Sequence, residues 1–310
     1  MENILEIKNL NLSFEINDKL YPCLKDVSMN LKKNTFYALV GESGCGKSIL
    51  ASSIIGLIPK NAEITSGEIL FNNENILENN IQKKLRGRKI AYIPQDPMTS
   101  LNPLWTIENQ MMEVLDLEDK LSKEEKREKI IEALNLVQIK EPEKRLKSYP
   151  HELSGGMRQR VIIAMALLTS SEIIIADEPT TALDVTIQAQ ILDILKDIQK
   201  LGKTILFITH NLGLVYKYAD IASVMYLGEI VEEQSAVELI RNPKHPYTKA
   251  LLDAIPKKDA TAIKNIKGSP SPIIEVIEGC LFNKRCDIAD EFCTKNHPNF
   301  NGSVRCFKAE

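Results

Sequence analysis

Short apolar runs punctuate the chain at Tyr37–Val40, Ile90–Ile93, Ile173–Ala176, Ile205–Thr209 and Val224–Leu227, and each leads into a turn or a helical-looking stretch. Continuous apolar runs bounded by turn signals read as buried strands, and strands alternating with helices predict an α/β domain on a largely parallel sheet. Between about Pro103 and Pro150 that strand signal stops. Ser122-Lys-Glu-Glu125 there forms a capping box ahead of a helical stretch ending near Val137, so the span is expected to be a helical insertion. Beyond about Arg241 the texture turns Pro-rich and then Cys-rich, with Gly268-Ser-Pro-Ser-Pro272 reading as a turn or extended linker. A boundary is therefore expected near residue 240.

Composition narrows the picture only a little. A chain of 310 residues fits one large domain plus a smaller appendage. With 44% apolar and 26% charged residues it has globular composition, which argues against extensive disorder. The formal net charge of -3 gives no global basic field for nucleic acid, and the basic residues of Lys123–Lys129 alternate with Glu as on a solvated helix face. The first residues, MENILEIKNL, lack the basic and apolar regions of a signal peptide. The longest apolar run, Val161–Leu168, is far shorter than the roughly 18 residues that span a bilayer. Any membrane role is expected to come through a partner.

The chemistry begins after the first of these strands. Gly41-Glu42-Ser43-Gly44-Cys45-Gly46-Lys47-Ser48 fits the phosphate-loop pattern G-x-x-x-x-G-K-[ST], and the helical-looking Ile49–Leu57 follows it. Glycines let backbone N–H groups wrap phosphates, Lys47 is expected to reach the β- and γ-phosphates, and Ser48 offers an oxygen to Mg²⁺. The candidate ATP-binding set is thus Gly41 through Ile49. A bare Gly-rich turn is the weaker reading, since strand, loop, Lys-Ser and helix agree. Ile173-Ile-Ile-Ala-Asp177-Glu178 places two carboxylates directly after a buried strand, where open α/β sheets hold ligands. Asp177 is expected in the magnesium shell and Glu178 as general base toward the attacking water.

Leu153-Ser154-Gly155-Gly156-Met157-Arg158-Gln159-Arg160 resembles the signature sequence of ABC ATPases. Gln95, after the strand Ile90–Ile93, resembles that family's Q-loop. Thr181-Ala-Leu-Asp184 resembles its D-loop, and His210, ending the strand Ile205–Thr209, its switch histidine. The resemblance implies a P-loop ABC ATPase fold, with a mixed, largely parallel sheet, an antiparallel β-subdomain and a helical subdomain about 103–155, over residues 1–240. It implies a head-to-tail dimer in which Ser154, Gly155, Gly156 and Gln159 face the γ-phosphate held by a second ATPase subunit. Gln95 would touch magnesium and water, His210 would orient the water, and an aromatic would stack on adenine, for which Phe14 and Tyr21 compete. Taken alone, His210 would more often be a packed or surface histidine than a catalytic one, and Gln95 would be uninformative.

Gln95–Pro103, Ala176–Gln190 and Asn242–Leu252 sharpen the resemblance toward the ATPases of dipeptide and oligopeptide importers, with nickel and other small-solute importers sharing much of the pattern. That implies two transmembrane permease subunits, an extracytoplasmic solute-binding protein acting indirectly, and a place on the cytoplasmic face of the membrane. A soluble ABC ATPase working on ribosomes or DNA is the competing class. Neither tandem cassettes, an inserted coiled coil nor a basic stripe supports it.

Six cysteines are present, four of them in the tail as Cys280-x5-Cys286-x6-Cys293-x12-Cys306. In a reducing compartment such a cluster reads as metal ligation before disulfides. Spacing admits either a four-cysteine zinc site or a [4Fe–4S] cluster, and the importer resemblance implies the cluster, on a C-terminal extension over 241–310. Arg285 and Arg305, each just before a cysteine, are expected to favour thiolates. Cys45 reads as a small side chain at a variable loop position, and Cys23 carries no signal.

Overall fold

The computed structural model describes residues 2–78, 80–116, 121–181, 183–255, 266–275 and 277–309. Among them the strands are β1 (Asn3–Ile16), β2 (Lys19–Lys32), β3 (Phe36–Val40), β4 (Ala62–Phe71), β5 (Glu74–Asn75), β6 (Ile90–Ile93), β7 (Ile173–Asp177), β8 (Thr204–Thr209), β9 (Ile221–Tyr226) and β10 (Glu229–Ser235). The chain divides into two compact units, Met1–Asn79 with Ile208–Glu310, and Asn80–Phe207. The residues after Arg241 fall in the first unit, together with the phosphate loop.

In the first unit, β1 and β2 form a long antiparallel hairpin turned by Asn17 and Asp18, both at positive φ (50° and 58°). Two successive positive φ values match the right-handed strand twist, and Asn and Asp tolerate them. β4 pairs with the other edge of β1, giving a four-stranded antiparallel sheet in the order β2-β1-β4-β5. This is the antiparallel β-subdomain. β3 is buried at all five positions, as its unbroken apolar run requires, and pairs in parallel with β9. β10 pairs antiparallel with β9, so the arrangement is mixed.

The C-terminal extension is stitched to β10. Val304 bridges Glu232, Arg305 N–H donates to the Val231 carbonyl at 2.8 Å, and Glu233 N–H to the Ser303 carbonyl at 2.8 Å. Glu232 itself is fully buried, and its carboxylate accepts the N–H groups of Lys244 and His245 at 2.7 and 2.9 Å. A buried carboxylate stays favourable only with such donors, so Glu232 anchors the start of the extension.

In the second unit, β6 and β7 pair in parallel from Ile90↔Ile173 to Ile93↔Ala176. The helical insertion is present: helices Ile107–Asp116, Lys123–Leu136 and Gly155–Leu168 pack on one another. Ser122 caps the middle one in the predicted capping box with Glu125. The loop before them is held by Gln110, whose side chain bonds both Asn102 backbone groups and the Trp105 carbonyl. Among the described residues no helix is long and apolar enough to cross a membrane.

Candidate functional site

β3 delivers the chain into the phosphate loop, and helix Lys47–Ile55 leaves it. A side chain at Gly41 would put its Cβ 2.3 Å from the Met225 carbonyl oxygen of β9, so the loop can hug that strand only with glycine there. Lys47 is buried, and its ammonium donates to the carbonyls of Gly41 and Glu42 at 2.8 and 3.0 Å. The loop therefore curls around its own lysine, with Ser43, Gly44 and Ser48 facing solvent and Ile49 half-buried behind them. Cys45 is buried with its Sγ 3.7 Å from Lys47 Nζ, and burial pushes its thiol up, so it remains a small neutral filler. Phe14 and Tyr21 prove to be cross-strand partners on the β1–β2 hairpin, both half-buried.

In the second unit the acid pair stands at the end of β7. Asp177 is 2% exposed and accepts the Tyr92 hydroxyl from β6 at 3.0 Å. Burial first, and the Asp177 charge second, push the Tyr92 hydroxyl up, so it stays a protonated donor. A carboxylate held this way at a strand end is a hard oxygen donor of the kind Mg²⁺ prefers. Glu178 sits at φ 44°, a left-handed conformation that costs a non-glycine residue about 1–2 kcal/mol. Its Oε2 accepts the Thr181 hydroxyl at 2.8 Å and the Gln95 side-chain amide at 3.3 Å. Strain at a carboxylate engaged by two polar side chains marks a functional position more than a packing one. His210 closes β8 and is exposed, just before Asn211 caps helix Leu212–Tyr218.

The signature stretch forms a capped helix start. Ser154 caps helix Gly155–Leu168, accepting Met157 N–H at 3.3 Å, and Arg158 braces the preceding turn through the carbonyls of Pro150 and Leu153. A Cβ on Gly156 would fall 2.8 Å from Ile187 Cγ2, so glycine lets this helix start close to helix Val185–Lys200. Ser154, Gly155, Gly156 and Met157 line an open pocket together with Lys140, Arg145 and Arg160. Gln159 departs from expectation: it is fully buried and both its amide atoms lack partners, so it is not on the surface a second subunit would meet. Asp184 caps helix Val185–Lys200 through the N–H groups of Thr186 and Ile187, a structural task that the motif alone did not reveal. Ala182, inside that D-loop stretch, lies outside the described residues.

Cys280, Cys286, Cys293 and Cys306 line one narrow cleft with a volume of about 20 Å³, walled by Phe282, Ile288 and Phe307. Burial pushes the Cys280 thiol up to about 11, and the neighbouring cysteines add to the effect. Burial likewise raises Cys286 and Cys306. This overturns the expectation that Arg285 and Arg305 favour thiolates: Arg285 turns to Glu42, and Arg305 to Asp26 and Glu229. Among the described residues no group of three or more His, Cys, Asp or Glu side chains is placed to hold a metal ion. Arg285 and Tyr247, both touching Glu42, are the partners that sequence reading missed, being more than two hundred positions away from it.

Fold and site together define the nucleotide-binding subunit of an ABC-type transport system. Residues 24–181 match the family described as ABC transporter, and residues 231–293 match the oligopeptide/dipeptide transporter C-terminal region. The dipeptide transport ATP-binding protein DppD of Bacillus subtilis is 44% identical over 304 residues, covering 96% of this chain and 91% of that protein. The oligopeptide transport ATP-binding protein AppD of the same organism is 43% identical over 321 residues, covering 100% of this chain and 98% of that protein. Among solved structures, the dimeric cassette MJ0796 in a post-hydrolysis state bound to ADP and Pi superposes with a TM-score of 0.67 at 29% identity, over 75% of this chain and 98% of that one. CbiO1 of Clostridium perfringens gives 0.68 at 30% identity, over 78% of this chain and 92% of that one. The chain belongs to the ABC transporter family, among the ATP-binding subunits of dipeptide and oligopeptide importers, and is an ATPase.

Proposed function

We propose that this chain hydrolyses ATP at the cytoplasmic face of the membrane to power uptake of dipeptides or oligopeptides through partner transmembrane subunits. The observation that carries the peptide reading is the match of its C-terminal extension to the oligopeptide/dipeptide transporter region, on a chain whose relatives DppD and AppD carry peptide-transport names. The ATPase proper spans 1–240, with the helical subdomain at about 103–155, and the importer-type extension spans 241–310.

Each residue then has a task. Gly41 to Ile49 wrap the triphosphate, with Lys47 on its terminal phosphates and either Phe14 or Tyr21 against the adenine. Ser48, Asp177 and Gln95 would hold Mg²⁺, which when bound neutralises charge developing on the phosphates. Glu178 takes up the proton of the attacking water, oriented by Gln95 and His210. Ser154, Gly155 and Gly156 present a helix N-terminus to the nucleotide of a second ATPase subunit, identical or homologous. Asp184 sits at that same junction. Two permease subunits complete the complex, and an extracytoplasmic solute-binding protein delivers the peptide without touching this chain. Adding a panel of dipeptides, oligopeptides and nickel to the reconstituted complex should raise its ATPase rate with peptides; stimulation by nickel alone would reassign the solute.

The cysteine cleft is proposed to receive a [4Fe–4S] cluster on Cys280, Cys286, Cys293 and Cys306. Its support is that all four thiols border one cleft, and that a [4Fe–4S] core takes four cysteine thiolates. Such a cluster would brace the extension. Protein purified without oxygen should be brown and contain equal amounts of iron and acid-labile sulfide. A colourless preparation with one zinc per chain would refute the cluster.

A further inference from the structure

One side chain of the C-terminal extension reaches the phosphate loop. Arg285 is 8% exposed, and its two terminal nitrogens grip Glu42 in a fork, Nη1 to Oε2 at 2.7 Å and Nη2 to Oε1 at 3.0 Å. Its Nε donates to the Lys267 carbonyl at 2.8 Å. The guanidinium lies 5.7 Å from the ring centre of Tyr226 and 5.9 Å from that of Phe282. The fork is therefore held in place by the extension and the core alike. The backbone of Glu42 is also engaged: its N–H donates to the Tyr247 hydroxyl at 3.0 Å, and its carbonyl accepts from Lys47. Tyr247 belongs to helix Pro246–Asp253 at the start of the extension. Two of the groups holding Glu42, Arg285 and Tyr247, thus come from residues beyond 240.

Glu42 is an awkward residue for this loop. It places a carboxylate in the second position of a sequence that wraps a polyanion, where an unpaired negative charge opposes the ligand. A bidentate arginine both cancels that charge and fixes its direction, which a lysine would do less well. We infer that Arg285 is a positioning residue for ATP binding: from the extension it neutralises Glu42 and, with Tyr247, holds the phosphate loop in its ATP-receptive shape. The inference rests on the chain binding ATP, and the test separates the two ideas.

The test measures MgATP affinity and melting temperature on the full chain for wild type, Arg285→Ala, Arg285→Lys, Glu42→Gln and the pairs. Arg285→Ala should weaken ATP binding by about tenfold or more. In the Glu42→Gln background the same substitution should cost less than about threefold, because no charge is left to neutralise. Arg285→Lys should fall between wild type and Arg285→Ala. Raised ionic strength should shrink the defect. If Arg285→Ala melts too low to assay, rescue of Arg285→Lys by Glu42→Gln carries the same decision. Binding within twofold of wild type in Arg285→Ala, or an equal loss in both backgrounds, would overturn the inference. Failure of the wild type to bind ATP would instead strike at the family assignment.

Discussion

Replacing Glu178 by Gln lowers ATP turnover by about two to four orders of magnitude, the range that loss of a general base commands, while ATP binding persists. Gln is close in shape and can still accept from Thr181 and Gln95 through its amide oxygen, so the bonds seen at 2.8 and 3.3 Å need not be lost. It also meets the same backbone cost at φ 44°. What it cannot do is take a proton from water. ATP that binds and is not cleaved should hold two subunits together, so the variant should run as a dimer with MgATP on size exclusion and as a monomer without it. A turnover within a few-fold of wild type would remove Glu178 from the base role.

Replacing Lys47 by Ala has a comparably large effect on a different quantity. Its ammonium is buried and already ringed by the carbonyls of Gly41 and Glu42. Charge-assisted hydrogen bonds contribute about 1.5–3 kcal/mol each, so losing those to the β- and γ-phosphates predicts ATP binding weaker by about 100-fold or more. The same substitution strips two loop carbonyls of their donor. Melting temperature without nucleotide therefore has to be recorded beside the titration, and a variant that melts near wild type yet binds ATP normally would contradict the role given to Lys47. The two variants thus divide the site: Glu178→Gln binds and does not turn over, Lys47→Ala does not bind.

Much of this was legible in the sequence because the signals are local. The strand and helix flanking the phosphate loop, the strand ending at the acid pair and the Ser122–Glu125 capping box each join residues within a few positions, and the local structure read for each is present. What the sequence hid depends on distant neighbours. Arg285 adjoins Cys286 in the chain, yet its electrostatic partner is Glu42, 243 positions away. Placing the arginine's charge at the cysteines because of adjacency was therefore wrong. Gln159 sits two residues beyond the exposed turn of the signature, and helical geometry carries it inward rather than along the surface. Asp184 is bound into a helix start, a task that any Asp before a helix can perform. Phe14 and Tyr21 resisted separation for a structural reason: they stand opposite each other across the hairpin, so both present rings to the same region.

The C-terminal extension takes on a clearer meaning. It is pinned to β10 at Val304 and Arg305, to buried Glu232 at its start, and to the phosphate loop at Tyr247 and Arg285. The cleft that gathers the four cysteines lies within this same stretch of chain, and Cys286 follows Arg285 directly. Whatever fills that cleft shares its scaffold with the side chain that holds Glu42.

The central claim is that ATP hydrolysis by this chain drives peptide import. It is tested most directly by peptide uptake into vesicles carrying the complete complex with its solute-binding protein, ATP being supplied on the side of this subunit. Wild-type complex should accumulate labelled peptide in step with phosphate release, and complex carrying Glu178→Gln should do neither. Peptide accumulation that continues undiminished in the Glu178→Gln complex would contradict the account.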